Sequence, residues 1–531
     1  MTTNVPVGRD AVAPAGDAGS AAARLVWIQL PGPGIDDETA RLLEQGVGGV
    51  VLFGANIAGP EQLRLLTAEL RRRAPGPLRI AIDHEGGHVA RIGAPLTRFP
   101  SAMAIGATRS EELAYAVALA AGRELAALGI DVNLAPVLDV AADPRNASVG
   151  ARSFGSSPEL VARLGAATVR GYRDAGIAAT AKHFPGHGRT PVDPHLDVAT
   201  VAGGLDALRA IDLPPFRAAI AAGVDLVMAT HVAYDGLTEG APTTVSRAAL
   251  TDLLRSELGF GGLVLTDAMR MRALADRMPV PRACVAAIDA GADAVMPMEE
   301  GPHALDELRA AIGSGLLREA RVSDAIGRAM RLEERLSATR NAGHTTLASL
   351  PDAAHLELAR TVARRSLTLI AGAELLPVRP AASVVVIEFP SRRSSPVEEE
   401  DTAASSLGSA LARALPRMRH VALDGAYDAE AADRAVAAAA DAELVIVATR
   451  DAYVRDDDRE LVARVAAAGR ATMLVALRNP YDVAALAPTT GAVAAYADVP
   501  ASLEALVDAL TGRAGWPGTL PMSLSAAVPV A

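Results

Sequence analysis

Cysteine, aromatic side chains and long apolar runs are all scarce in this 531-residue chain. The single cysteine, Cys284, excludes an intrachain disulfide and any metal site that needs several cysteines. No apolar run reaches the roughly 18 to 20 residues that a transmembrane helix requires. The formal net charge is −11, whereas binding to nucleic acid or to an anionic membrane needs a basic surface. We therefore expect neither nucleic acid nor a membrane as a partner.

The beginning of the chain lacks the pattern of a secretory signal. Residues 1–22 are rich in Ala, Gly, Pro and Thr, and no basic start is followed by an apolar core. We expect residues 1–22 to be a disordered tail and the protein to be cytoplasmic. Half of all residues are hydrophobic but only 3% are aromatic, which favours cores built from close-packed, alanine-rich helices.

From residue 25 onward, short apolar runs alternate with helix-like segments. The runs are apolar on both faces, as buried parallel strands should be. Eight consecutive β-then-α units favour a (β/α)₈ barrel of the TIM type, with a doubly wound open sheet as the alternative. The strand segments are 25–30, 48–53, 78–83, 131–140, 177–184, 225–232, 262–269 and 292–297.

A second α/β pattern follows and predicts a smaller C-terminal αβα sandwich. Its strand segments are 366–370, 383–389, 420–425, 444–451, 471–480 and 492–497. Within it, residues 391–406 are expected to form an exposed loop. The predicted domains are a catalytic barrel at 23–337, a linker at 338–360 and the sandwich at 361–531.

Polar residues stand at the ends of several barrel strands that are otherwise apolar. Chemistry in a (β/α)₈ barrel takes place at the carboxyl ends of the strands. We therefore expect these residues to converge on one site. They are Asp83, Asp139, Lys182 with His183, His231 and Asp267.

The stretch KHFPGHGRTPVDPH at 182–195 crowds three histidines among prolines and glycines. Proline cannot continue a helix, so the stretch is expected to be a loop. His183 and His187 have a spacing that suits zinc on one helix face, but Pro185 and Gly186 break such a helix. The sequence therefore predicts no metal.

Two carboxylates and one histidine in this region suit acid–base and nucleophilic chemistry. Asp193 and His195 lie two residues apart, and a carboxylate beside an imidazole fixes its tautomer and raises its basicity. A solvated loop pair is the alternative. Asp267 ends an apolar strand, where it is either a helix cap or a nucleophile for glycosyl transfer.

The remaining polar residues suit a neutral, polyhydroxylated substrate. Asp83 can accept two sugar hydroxyls, Arg91 and Arg152 can donate in fork geometry, and Lys182 with His183 can donate from another strand.

At these residues the chain resembles glycoside hydrolase family 3, and within it the β-N-acetylglucosaminidase branch. The resemblance covers about residues 25–335 and is weaker in the sandwich. The matching blocks are 47–57, 81–92, 97–107, 136–159, 182–195 and 257–269, with 475–482 and 518–524 in the sandwich.

The resemblance implies a retaining exo-β-N-acetylglucosaminidase that needs no metal and no organic cofactor. Asp267 is then the nucleophile, and His195, oriented by Asp193, is the general acid/base. His187 is a motif residue of the loop. The implied substrates end in N-acetylglucosamine, with muropeptides preferred to chitin oligosaccharides. The implied contacts to that sugar are Asp83, Arg91, Arg152, Lys182 and His183.

Four positions depart from the family pattern. His84 and His88 replace Gln and Arg, which would alter the rim of the pocket. Arg189 adds positive charge after G-H-G, and Pro194 restricts Asp193.

Two rival functions remain open at the level of sequence. A phosphorylase would use phosphate as the acceptor. A histidine acid/base does not repel that anion as a carboxylate would, and the positive charge of Arg189 could help to bind it. A catalytically silent sugar-binding protein would not need Asp267, Asp193 and His195 together. The oligomeric state is left open.

Overall fold

The computed structural model describes residues 17–190, 199–340, 346–393, 395, 397–398, 406–486 and 489–524. Throughout those ranges, no helix is both long enough and apolar enough to cross a membrane.

The first sheet consists of eight parallel strands in chain order. Each strand lies inside one of the eight predicted segments. An additional parallel bridge between Val26 and Val295 joins the first strand to the last. The prediction of a barrel is therefore confirmed, and the open doubly wound sheet is wrong. The strands are β1 (Trp27–Gln29), β2 (Gly49–Leu52), β3 (Arg79–Ile82), β4 (Val132–Asn133), β5 (Ala178–Phe184), β6 (Leu226–Ala229), β7 (Leu263–Ala268) and β8 (Ala294–Met296).

Helices surround this barrel, and several begin at side chains that cap their free N–H groups. Asp36, Ser110 and Ser157 each accept a hydrogen bond from a backbone N–H in the first turn. Two π-helical segments, Leu208–Asp212 and Ala248–Glu257, complete the ring. The α-helices are α1 (Ala18–Arg24), α2 (Asp37–Glu44), α3 (Pro60–Arg73), α4 (Ala102–Thr108), α5 (Glu111–Ala127), α6 (Pro158–Asp174), α7 (Gly204–Ala207), α8 (Leu213–Ala221), α9 (Arg272–Ala275), α10 (Val280–Ala290), α11 (Gly301–Gly313) and α12 (Glu319–Arg340).

Small residues allow α5 and α6 to pack closely. A Cβ atom on Gly171 of α6 would lie 2.4 Å from the backbone oxygen of Tyr115 in α5. The scarcity of aromatic residues thus has a structural counterpart, since alanine and glycine bring the helix backbones together.

Helix α12 covers the amino ends of the barrel strands through ion pairs whose aspartate side chains are largely buried. Three aspartates at the starts of strands each contact an arginine of this helix. The pairs are Arg340–Asp131 at 2.8 Å, Arg335–Asp225 at 2.7 Å and Arg321–Asp293 at 2.6 Å. These charges are engaged in structural ion pairs, whereas the polar residues predicted to form a site stand at the carboxyl ends of the strands.

The second sheet has six strands with helices on both faces, as predicted for the sandwich. Its spatial order is β9-β14-β13-β12-β10-β11, and only the β9–β14 pair is antiparallel. Separate apolar clusters fill its two sides. The strands are β9 (Thr368–Ala371), β10 (Val384–Glu388), β11 (Arg419–Ala422), β12 (Leu444–Thr449), β13 (Thr472–Ala476) and β14 (Gly491–Ala494). The helices are α13 (Ala353–Ser366), α14 (Leu407–Leu411), α15 (Ala429–Ala440), α16 (Asp456–Ala468), α17 (Tyr481–Ala485) and α18 (Pro500–Leu510).

Two expectations of irregular structure need correction. Helix α1 occupies residues 18–22 of the predicted tail, because Asp17 caps it and Ala21–Ala23 are buried. Residues 1–16 lie outside the described ranges. Helix α13 occupies residues 353–360 of the predicted linker. Its His355 Nδ1 lies 2.8 Å from Glu124 Oε1 in α5, which ties this helix to the barrel.

Candidate active site

A cavity of about 600 Å³ lies at the carboxyl ends of the barrel strands. Its walls hold both polar strand-end residues and apolar side chains. The sequence-predicted residues that line it are Asp83, Arg91, Arg152, Lys182, His183 and Asp267. Apolar lining comes from Val51, Leu134, Met228, Met296 and Met298.

Lys182 links two carboxylates on one side of the cavity. Its Nζ lies 2.6 Å from Asp83 Oδ1 and 2.7 Å from Glu85 Oε1, and its side chain is only 2% exposed. Arg91 Nη2 lies 3.7 Å from the second oxygen of Asp83. The two cations hold Asp83 in one orientation, with its carboxylate at the cavity surface.

Glu85 is a member of the site that the sequence reasoning missed. It accepts two hydrogen bonds of 2.8 Å from the Arg152 guanidinium and also faces Lys182. Burial opposes ionisation of Glu85, but the charges of Arg152 and Lys182 outweigh it and hold the pKa of this carboxyl well below its usual range. A count of the charges among the predicted site residues could have identified Glu85. Arg91, Arg152 and Lys182 needed more negative charge nearby than Asp83 supplies.

Asp139 lies behind His183 and His187 and organises both. Its Oδ2 is 2.7 Å from His183 Nδ1 and 3.3 Å from His187 Nε2, and its Oδ1 accepts a 2.8 Å hydrogen bond from the backbone N–H of His187. Burial raises the pKa of Asp139, but the charges of the two imidazoles outweigh it and lower the pKa overall. With Nδ1 directed at Asp139, His183 presents Nε2 to a ligand.

Within the described ranges, the ligand atoms of Asp139, His183 and His187 lie close enough together to hold a metal ion. The carboxylate is hydrogen-bonded to the His183 ring at 2.7 Å, whereas His187 Nε2 lies 3.3 Å from it. His183 lines the cavity, whereas His187 does not, in keeping with a role in loop structure.

Asp267 is the last residue but one of β7 and lines the cavity. Its Oδ1 accepts a 2.7 Å hydrogen bond from the backbone N–H of Ala268. The alternative role as a helix cap is wrong, because α9 begins later and has Met271 as its N-cap.

His231, expected to converge on the site, instead lies behind the strand. Its Nε2 is 3.0 Å from the backbone oxygen of Ala268, and its Nδ1 is 2.6 Å from Thr244 Oγ1.

The remaining predicted catalytic residues, Asp193 and His195, lie outside the described residues, as does Pro194. The chain leading to them is anchored to the barrel. A Cβ on Gly188 would lie 1.9 Å from the backbone oxygen of Val140, so only glycine fits that approach.

Arg189 has a different role from the one expected. Its guanidinium donates to Asp212 Oδ2 at 2.8 Å and to the Ala202 oxygen at 2.6 Å. Arg189 is also not part of the cavity lining. Arg189 is thus paired with Asp212 away from the cavity, and the suggestion that Arg189 helps to bind phosphate finds no support in this arrangement.

The two histidines that depart from the family pattern have different surroundings. His84 is buried and is absent from the cavity lining, so its expected effect on the rim is wrong. His88 Nε2 lies 3.8 Å from Glu398 Oε1, and Glu398 lines the cavity.

His84 should make the protein sensitive to acid. Burial lowers the pKa of His84 to about 4 from its usual 6.5. The unfolded chain therefore takes up a proton first as the pH falls. The contribution of His84 to the free energy of unfolding is therefore fully present above pH 6.5. It is lost as the pH falls to about 4, by about 3 kcal/mol in all. We expect His84→Gln to remove this loss, as measured by chemical unfolding between pH 4.5 and 7.5.

The matched control is His303→Gln, which removes a largely exposed imidazole from α11. Unfolding profiles of the wild type and His84→Gln that run parallel over this pH range would contradict the assignment.

The sandwich also reaches the cavity, through a segment expected to be an exposed loop. Arg393, Val397 and Glu398 line the cavity, and Glu398 is only 3% exposed. Glu398 Oε2 lies 3.5 Å from Arg478 Nη1. The expectation of an exposed loop is therefore wrong at Glu398, since a carboxylate that meets a buried arginine is drawn inward. Nothing in the local sequence indicates this contact.

Comparisons with known proteins agree with this architecture. The family model described as "Glycosyl hydrolase family 3 N terminal domain" matches residues 24–332. Beta-hexosaminidase A from Pseudoalteromonas piscicida is 31% identical over 536 residues, which span 90% of this chain and 89% of that protein. A beta-hexosaminidase from Stenotrophomonas maltophilia (strain K279a) is 40% identical over 293 residues, which span 54% of this chain and 86% of that protein.

Solved structures extend the likeness to both sheets. A glycoside hydrolase family 3 beta-N-acetylglucosaminidase from Paenibacillus sp. str. FPU-7 superposes with a TM-score of 0.91 at 36% identity, covering 96% of this chain and 99% of that one. The beta-glucoside phosphorylase BglX superposes with a TM-score of 0.82 at 22% identity, covering 96% of this chain and 94% of that one. At that identity the second likeness shows the fold alone.

Proposed function

The chain belongs to glycosyl hydrolase family 3, and we propose that it is a retaining exo-β-N-acetylglucosaminidase. Its relatives include named beta-hexosaminidases, and a beta-N-acetylglucosaminidase matches it over both domains. It is a glycoside hydrolase that acts on N-acetylhexosaminides. The retaining mechanism, the role of each residue and the natural substrate belong to the proposal.

One observation carries the proposal. Asp267 faces the same cavity as a fixed set of donors and acceptors suited to sugar hydroxyls. Asp83 can accept hydrogen bonds from sugar hydroxyl groups. Arg91, Arg152 and Lys182 can donate hydrogen bonds to them, and His183 can do either. Because Lys182 and Arg152 are already held by carboxylates, the polar atoms are placed before the sugar arrives. Such preorganisation lowers the entropy cost of binding.

In the proposed reaction, a carboxylate oxygen of Asp267 attacks the anomeric carbon, and the bond from that carbon to the leaving oxygen breaks. His195 gives its proton to that oxygen. Water then loses a proton to His195, attacks the same carbon and releases both the sugar and Asp267. Two displacements at one carbon retain the β configuration. Asp193 would hold the His195 imidazole in the tautomer that can donate its proton.

The acid role of His195 predicts a dependence on the leaving group. We expect His195→Ala to lower kcat/KM on p-nitrophenyl β-N-acetylglucosaminide by about 10²- to 10⁴-fold. With a 2,4-dinitrophenyl leaving group the loss should be much smaller, because that phenolate departs without a proton. Stopped-flow release of the two phenols measures this ratio. Equal losses on both substrates would contradict the assignment.

The function itself is tested by hydrolysis of aryl β-N-acetylglucosaminide, with aryl β-glucoside as the control. We expect the first to be cleaved and the second to resist. Cleavage of only the glucoside would contradict the proposal. A folded protein that binds N-acetylglucosamine but cleaves neither substrate would favour the silent sugar-binding alternative.

Among natural substrates we propose muropeptides, ahead of chitin oligosaccharides. Product analysis in phosphate buffer distinguishes hydrolysis, which gives N-acetylglucosamine, from phosphorolysis, which gives its 1-phosphate.

A further inference from the structure

Residues 191–198 contain the proposed acid/base dyad, and the chain on both sides of them is fixed to the barrel. Before them, the backbone oxygen of His187 accepts a 2.8 Å hydrogen bond from the Asn146 side chain. After them, Thr200–Val201 pairs in parallel with Ala233–Tyr234. The distance between the two ends sets the span that the residues with the dyad must bridge.

One side chain, that of Arg189, joins these two ends directly. Arg189 precedes the dyad, and its Nη1 donates a 2.6 Å hydrogen bond to the backbone oxygen of Ala202, which follows the dyad. Its Nε donates to Asp212 Oδ2 at 2.8 Å, and its Nη2 lies 2.8 Å from the same oxygen. The guanidinium therefore ties the incoming chain, the outgoing chain and a third segment together.

Asp212 is a fixed point for this guanidinium. Its side chain is fully buried, and its Oδ1 makes no hydrogen bond with any described residue, so the carboxylate depends on Arg189. Asp212 ends the π-helical segment Leu208–Asp212, and α8 follows at once. Phe216 of α8 packs edge to face on Phe184 of β5, with the ring centroids 5.3 Å apart. The carboxylate is thus attached to an element that packs on the barrel sheet.

A buried ion pair is often purely structural, but the location of this one favours a role in the reaction. Arg189 links the two ends of the stretch that carries the dyad, instead of two elements of the scaffold. Arg189 is also absent from the cavity lining. It therefore has no direct contact with the sugar, and its effect on the reaction has to act through the dyad.

We propose that Arg189 is a positioning residue, which holds the two ends of the chain so that His195 meets the leaving oxygen. This inference deepens the proposed function and rests on it, because it requires His195 to be the general acid/base. An acid has to lie within hydrogen-bond reach of the oxygen that it protonates, so a small displacement is costly. Replacement of Arg189 removes the contact to Ala202 and leaves the buried Asp212 carboxylate without its cation.

The test compares two aryl β-N-acetylglucosaminides that share the sugar and differ in the leaving group. Phenolate needs a proton to depart, whereas 2,4-dinitrophenolate does not. We expect Arg189→Gln to lower kcat/KM on the phenyl glycoside by about 10- to 100-fold. On the dinitrophenyl glycoside the loss should be less than about threefold. Loss of folded protein would lower both values equally, so the ratio of the two losses reports positioning alone.

Conservative and double variants test the contact itself. Arg189→Lys keeps the charge but not the fork geometry, so it should recover part of the loss on the phenyl glycoside. Asp212→Asn should give the same unequal losses. Combined with Arg189→Gln it should add little, because both substitutions break one contact. The inhibition constant of N-acetylglucosamine should stay unchanged in Arg189→Gln, since the residues around the sugar are intact.

The matched control is Arg209→Gln, which removes an exposed arginine of the same π-helical segment that pairs with Glu257. It should leave both kcat/KM values unchanged. Equal losses of Arg189→Gln on the two glycosides, or additive losses in the double variant, would overturn the positioning role. The acid/base assignment fails separately, if His195→Ala itself loses activity equally on both glycosides. The glycosidase proposal fails if the wild type cleaves neither.

Discussion

Asp267→Ala is expected to lower kcat on aryl β-N-acetylglucosaminide by at least about 10⁴-fold, because removal of a nucleophile removes the covalent route altogether. Asp267 is well placed for that role. It lies next to the last residue of β7, in the wall of the cavity, and the backbone N–H of Ala268 holds one of its carboxylate oxygens at 2.7 Å. Steady-state release of the phenol gives the size of the loss.

Chemical rescue makes this prediction specific. In Asp267→Ala, added azide can enter the space left by the carboxylate and attack the anomeric carbon once. A single displacement inverts the configuration, so the product should be the α-glycosyl azide. Nuclear magnetic resonance of the product identifies the anomer. The matched control is Asp306→Ala on α11, where the carboxylate is mostly exposed, and this variant should keep full activity without azide.

Two results would contradict the nucleophile assignment. One is a β-glycosyl azide as the rescued product, and the other is Asp267→Ala activity within tenfold of the wild type. Since β7 also supports the barrel, circular dichroism must first show that the variant is folded.

The strands of both sheets were predictable because their signal is local. A run such as 262–269 is apolar on both faces, and a parallel strand covered by helices needs no more than that. The polar residue at its end then had to lie at the barrel opening. For this reason Asp83, Lys182, His183 and Asp267 could be assigned to one site from sequence alone.

Residues whose role depends on partners distant in sequence were harder to predict. Glu85 acquires its role from Arg152, which lies 67 positions further along the chain. Glu398 turns inward because it meets the buried Arg478 and the nearby His88, and no periodicity of its own segment records that contact. His84 and His231 stand just beyond the carboxyl ends of barrel strands, yet packing directs their side chains away from the cavity.

Two helical segments were predicted to be irregular for a related reason. The stretches at 18–22 and 353–360 resemble linkers in composition. Their helices are stabilised by tertiary contacts, such as the one between His355 and Glu124 at 2.8 Å. Propensity is a weak guide where a short helix gains most of its stability from the surface it covers.

Glu85 is the residue whose charge should matter most to the integrity of the site. Glu85→Gln keeps the size of the side chain but leaves Arg152 and Lys182 with too little negative charge. Breaking a buried ion pair in this way costs about 3–5 kcal/mol, because an uncompensated charge stays buried. We expect chemical unfolding to show that loss, and kcat/KM to fall by about 10²-fold or more as the two cations move away from their positions around the sugar.

The pH dependence of this loss gives an independent check. Arg152 and Lys182 hold the pKa of Glu85 below its usual value near 4.5. The stability that ionised Glu85 contributes is therefore fully present above pH 4.5 and is lost only as the pH falls further. The gap in unfolding free energy between the wild type and Glu85→Gln should stay constant from pH 5 to 8. Glu61→Gln is the matched control, since its ion pair with Arg64 is exposed on α3. A Glu85→Gln variant that matches the control in both stability and kcat/KM would show that Asp83 alone balances the two cations, and that the site is organised around Asp83 instead of Glu85.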